Sequence, residues 1–108
     1  MIRQLSPFEV NNLMIAGEKV ILLDVREPEE YAICRLPGSV LIPLGELPSR
    51  FGELDIAEDA TLVVYCHHGI RSNRGAAFLH QQGIENAVNM TGGIEWWSQQ
   101  IDPSVPRY

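Results

Sequence analysis

The chain has 108 residues, of which 45% are hydrophobic, a formal net charge of −6 and a pI near 4.9. These figures point to one globular domain over residues 1–108 with a real core, and argue against a disordered segment or a general nucleic-acid surface. The start MIRQLSPFEV lacks an apolar signal region, no run nears the ~18 apolar residues of a membrane span, and two cysteines are too few for a disulfide framework, so a cytoplasmic protein without membrane contact is expected.

Along the chain, short apolar runs alternate with amphipathic stretches. Ser6-Pro7-Phe8-Glu9 is a capping box with proline at the first helical position, and Gly17 is a stop, which predicts a helix over about residues 7–16. VILLD, at 20–24, is an apolar run ending in a charge, as a strand buried on both faces of a parallel sheet requires. A short helix follows Pro28, a small strand falls near 39–42, and LGELPSRFGEL reads as a helical-turn region. TLVVY, at 61–65, repeats the character of VILLD, and the two are expected to be neighbours in the sheet. Residues 72–82 read as a helix closed by Gly83, 87–89 as a short strand and 94–100 as a last helix carrying Trp96 and Trp97, one packed inward and one partly exposed. His80 is expected on the surface, and the tail DPSVPRY is expected to run along it. This alternation predicts an α/β domain with a mainly parallel sheet covered by helices on both faces.

In open α/β sheets, sites sit at the carboxyl ends of strands, where Asp24 and Cys66 both fall. A strand, tight loop and helix leave loop amides pointing inward beside the positive end of a helix dipole, an anion cradle in which a cysteine carries negative charge more readily. In CHHGIRS, at 66–72, Gly69 suits a positive φ or a close backbone approach, and Arg71 offers a planar fork for an oxyanion. Ser72 has two readings, N-cap of the next helix or hydrogen-bond donor to the sulfur. His67 and His68 either line the mouth of the pocket or are loop residues without a role. Metal binding by Cys66, His67 and His68 is disfavoured, because adjacent side chains in a tight loop diverge. For Asp24 and Arg26 an internal bracing pair is preferred to substrate contact.

Four ordered motifs make the sequence resemble the single-domain rhodaneses, a sulfurtransferase family. The loop form C-x-x-G-x-R/S is matched at Cys66, Gly69, Arg71 and Ser72, and the strand followed by D-x-R-E at LLDVREPEEY, with Asp24, Arg26, Glu27 and Tyr31. LPGSVLIP matches the middle segment and NMTGGIEWW the terminal one. The resemblance implies a rhodanese-like three-layer fold with about five strands. It also implies sulfur transfer through a persulfide on Cys66, from a donor such as thiosulfate to cyanide in the assay tube or a thiol or protein in the cell. His67, His68, Gly69, Ile70, Arg71 and Ser72 would form the cradle, with no metal or organic cofactor. The chain departs from the family at 34–35, where Cys34 and Arg35 replace a glycine and a histidine. Arg35 adds positive charge at the entrance if it points inward, and Cys34 is read as a small thiol filling space. Two rivals remain: a noncatalytic rhodanese-like binding module, and a cysteine phosphatase or arsenate reductase. The second needs five residues between cysteine and arginine, where Cys66 to Arg71 leaves four.

Overall fold

The computed structural model describes residues 2–108. Five strands form one sheet: β1 (Gln4–Leu5), β2 (Val20–Asp24), β3 (Val40–Leu41), β4 (Thr61–Tyr65) and β5 (Ala87–Met90). Their spatial order is β1-β5-β4-β2-β3, and every neighbouring pair is parallel. The helices are α1 (Pro7–Ile15), α2 (Pro28–Ile33), α3 (Leu47–Arg50), α4 (Ile70–Gln81) and α5 (Gly93–Gln100). The helical-turn region resolves into α3 flanked by 3-10 turns at Leu44–Glu46 and Phe51–Glu53.

Because side chains alternate along a strand, each apolar run feeds two cores. On one face Leu22, Val63, Tyr65 and Val88 pack with Val10 of α1 and Ile94 and Trp97 of α5. On the other, Leu23, Leu62, Val64 and Ala87 pack with Leu47 of α3 and Ala76 and Leu79 of α4. This two-sided burial explains why VILLD and TLVVY lack polar alternation. The two pair along their full length, Val20 opposite Thr61 through Asp24 opposite Tyr65.

The chain leaves β2 toward β3 and leaves β4 toward β5, in opposite directions across the sheet. The carboxyl ends of β2 and β4 therefore flank the topological switch point, where an open α/β sheet forms its crevice.

Several expectations are revised. β1 was not foreseen, since two residues carry no periodicity; it exists because Gln4 and Leu5 lie beside Asn89 and Met90 at the sheet edge. Helix α4 begins at Ile70, with Gly69 at φ 99° in the N-cap position, so Ser72 lies inside the first turn and is not the cap. His80 is half-buried rather than superficial, its Nε2 being 2.8 Å from the Ala87 carbonyl oxygen. The tail does not simply follow the surface. Val105 is buried, its carbonyl accepts a hydrogen bond from Ser98 Oγ at 2.6 Å, and Tyr108 reaches the crevice. Trp97 is buried and Trp96 exposed, as adjacency on a helix requires. No helix among the described residues is long and apolar enough to cross a membrane.

Candidate active site

Cys66 follows β4 directly and is 1% exposed. The loop behind it curls so that backbone N–H groups of Gly69 and Ser72 donate to its Sγ at 3.1 and 3.3 Å. The thiol donates in turn to Ser72 Oγ at 3.3 Å, and that hydroxyl donates to Asn89 Oδ1 at 2.5 Å. Two backbone amides are thus aimed at one sulfur. If the sulfur loses its proton, the Ser72 hydroxyl has a second acceptor within reach.

The cradle is held from below by two polar devices. Asn89 Nδ2 donates to the Gly69 carbonyl at 3.2 Å and to Gln4 Oε1 at 2.7 Å, tying the loop to β5 and the edge strand. From α5, the N–H of Ile94 donates to the Cys66 carbonyl at 2.9 Å and that of Glu95 to the His67 carbonyl at 3.1 Å. The positive φ at Gly93 lets α5 start this close, where a side chain would collide with the loop backbone. Gly69 is close-packed too, though less tightly, a Cβ there falling 3.1 Å from Gly92 N.

Asp24 and Arg26 form an internal pair. Both side chains are fully buried; Arg26 Nε donates to Asp24 Oδ1 at 3.0 Å and Nη2 to Oδ2 at 2.7 Å. Burial opposes the charge on Arg26, but its hydrogen bonds to Asp24 and Tyr108 outweigh this and raise its pKa. Its remaining donors reach the Cys34 carbonyl at 2.6 Å and Tyr108 Oη at 2.8 Å, so one guanidinium binds β2, the end of α2 and the tail together. Cys34 is a buried core thiol. Arg35 lies exposed over the Tyr31 ring, its Cζ 4.2 Å from the ring centroid.

At the mouth, Arg71 is not a free cation. Its Nη1 and Nη2 donate to Glu30 Oε1 and Oε2 at 2.7 and 2.9 Å. These bonds hold the Glu30 carboxyl down at about 2 and push the Arg71 pKa up. Tyr108 Oη also donates to Glu30 Oε2 at 2.7 Å, and burial pushes that phenol up to about 12. The Tyr108 ring stacks on His67 with centroids 3.9 Å apart, and His67 stacks on His68 at the same distance. Burial, reinforced by His68, lowers the His67 pKa, and its buried Nε2 has no hydrogen-bond partner among the described residues. Ile70 is 70% exposed at the lip.

Glu30, Asn89, Gln4 and Tyr108 went unrecognised as site residues. Asn89 had a signal, an amide in an otherwise apolar strand with every residue buried; Glu30 and Tyr108 had none, being 78 positions apart.

Residues 6–100 match the rhodanese-like domain family. The chain belongs to that family. The rhodanese-like chain is 32% identical over 105 residues to a sulfurtransferase of Allochromatium vinosum, covering 97% of this chain and 96% of that one. It is 35% identical over 104 residues to the probable adenylyltransferase/sulfurtransferase MoeZ of Mycobacterium tuberculosis, covering 96% of this chain and 26% of MoeZ. It thus spans about a quarter of MoeZ. Its backbone superposes on a rhodanese-related protein from Thermoplasma volcanium with a TM-score of 0.82 at 32% identity, over 98% of this chain and 99% of that one. These relatives support a transferase of the rhodanese family and sulfur transfer as its class of reaction.

Proposed function

We propose that this rhodanese-like chain carries a sulfane sulfur as a persulfide on Cys66, taking it from a donor such as thiosulfate and delivering it to a thiophilic acceptor. The observation that carries the reading is the buried Cys66 Sγ, met by the amides of Gly69 and Ser72 at the switch point of the sheet. In the first half-reaction the Cys66 thiolate attacks the outer sulfur of thiosulfate. A new S–S bond forms, the old one breaks, and sulfite leaves with the bonding pair. In the second, cyanide in the assay tube or a thiol in the cell attacks the terminal sulfur and the Cys66 thiolate departs. Gly69 and Ser72 hold the sulfur, and Asn89 keeps the loop in register. Residues 67–72 form the cradle, with Asp24 and Arg26 bracing it from the neighbouring strand. Two unpaired cysteines fit a reducing, cytoplasmic setting for this chemistry.

The test is direct. The protein is incubated with thiosulfate or glutathione persulfide, its intact mass is followed for one added sulfur, and thiocyanate is measured after cyanide is added. Loading of the wild type and none in Cys66→Ser is expected. Turnover that survives Cys66→Ser would overturn the mechanism, and sulfur-free binding without turnover would favour a binding module.

A further inference from the structure

The positive groups nearest the loop are already matched. Arg71 spends both terminal nitrogens on Glu30, and Arg26 is consumed by Asp24. Arg107 is paired with Glu95 at 2.9 Å, and the lowered pKa of His67 leaves that ring neutral at pH 7. Arg74, one turn further along α4, is exposed to solvent and itself lines, with Gln4, His68, Gly69, Asn73 and Asn89, a depression of about 460 Å³, where its charge is screened by solvent.

The Glu30–Arg71 pair is no loose surface contact. Glu30 is fixed by both nitrogens of the fork, by the Tyr108 hydroxyl and by its own capping bond, in which the Glu27 N–H donates to Oε1 at 3.0 Å. The Glu30 backbone carbonyl also accepts from Arg26 Nη1 at 3.4 Å. A bidentate carboxylate is the same kind of partner that an incoming oxyanion would be, so a sulfonate must displace it or bind beside its negative charge.

We propose that Glu30 is a specificity-determining residue for the sulfur donor, occupying the fork of Arg71 and turning the site from the thiosulfate dianion toward persulfides of the form R–S–SH. The proposal rests on the persulfide reading of Cys66. Charge balance separates the two donors. Thiolate and thiosulfate bring three negative charges together, and the products, a persulfide anion and sulfite, keep all three. At the reacting groups, thiolate and a persulfide bring two where the persulfide is ionised and one where it is protonated, as in the transfer that follows. The Cys66 sulfur bonds to the outer sulfur, the S–S bond of the donor breaks, R–S⁻ leaves with the pair, and the proton stays on the transferred sulfur. A site whose cations are already neutralised penalises the first encounter far more than the second.

The test compares kcat/KM for thiosulfate and for glutathione persulfide in wild type, Glu30→Gln and Glu30→Asp, with thermal midpoints to confirm folding. Glutamine keeps the size and the capping acceptor but removes the charge. The thiosulfate-to-persulfide ratio is expected to rise by about tenfold in Glu30→Gln, mostly through KM, the scale of one unmatched charge at a partly screened site. Glu30→Asp should keep the ratio low. Adding Arg71→Gln to Glu30→Gln should abolish the gain, since the freed fork is its source. An unchanged or lower ratio in Glu30→Gln, an equal rise in Glu30→Asp, or a gain that survives loss of Arg71 each overturns the proposal. Wild-type protein that forms no persulfide on Cys66 with either donor instead overturns the underlying reading, and this inference with it.

Discussion

Gly93→Ala tests whether the loop is held from behind. Gly93 sits at φ 58°, and a Cβ there would collide with the Cys66 carbonyl oxygen and lie 2.5 Å from the His67 oxygen and 2.6 Å from its carbonyl carbon. A Cβ needs at least 3.0 Å and ordinarily 3.4 Å, so the His67 oxygen alone requires the backbone to yield by 0.5 to 0.9 Å (3.0 − 2.5 and 3.4 − 2.5), and the nearer Cys66 oxygen requires more. What yields is rigid main chain, the peptide units that place Sγ and accept from Ile94 and Glu95. Left-handed strain costs about 1 kcal/mol, and weakening the two hydrogen bonds costs about 1 kcal/mol each, or about 3 kcal/mol together. For a domain of this size that lowers the thermal midpoint by roughly 10–20 °C. A displacement approaching 1 Å at a reacting atom costs on the order of 100-fold in rate. Gly17→Ala is the control: its φ is 77°, nothing lies within 4 Å of the added carbon, and the strain term alone applies. Thermal unfolding and single-turnover sulfur loading of Cys66 read the two effects. Gly93→Ala that loads at the wild-type rate, with no more stability loss than Gly17→Ala, would refute the reasoning.

Asp24→Asn should destabilise the fold by about 3–5 kcal/mol, because it leaves the fully buried Arg26 charge without its partner, and urea unfolding measures it. A loss below about 1 kcal/mol would mean that the Cys34 carbonyl and Tyr108 suffice to hold Arg26. Acid should expose the Glu30 network. The folded carboxyl sits at about 2 against an ordinary 4.5, so its stabilisation is complete above pH 4.5 and fades as pH falls through 2. Over that window Glu30→Gln should lose less stability than wild type when both are followed by chemical denaturation at stepped pH; parallel curves would rule out the Glu30–Arg71 pair as the source.

Local chemistry explains what could be read in advance. Ser6 and Glu9 mark the start of α1 within four residues, and both their reciprocal hydrogen bonds form, at 3.2 and 2.9 Å. VILLD and TLVVY declare central parallel strands because both faces are buried, which removes polar alternation. Gly69 was legible because one backbone position in a strand-loop-helix turn needs a positive φ. The two-residue β1 and the start of α4 were not, since a short edge strand takes its state from its neighbour and Gly69 holds the cap position that was one of two readings of Ser72.

The sequence by itself determined the strand and helix alternation, the place of Cys66 at a strand end and the composition of the loop, because spacing of a few residues along one chain sets all three. Only the tertiary structure decided what those groups face. Asn89 beneath the cradle, the α5 amides on the loop carbonyls, and Glu30 and Tyr108 across Arg71 come from segments 17 to 78 positions apart. No local pattern encodes such contacts. They exist because a parallel sheet gathers distant strand ends at one edge, and there the fork of Arg71, which the loop alone would offer to an anion, is already taken by a carboxylate.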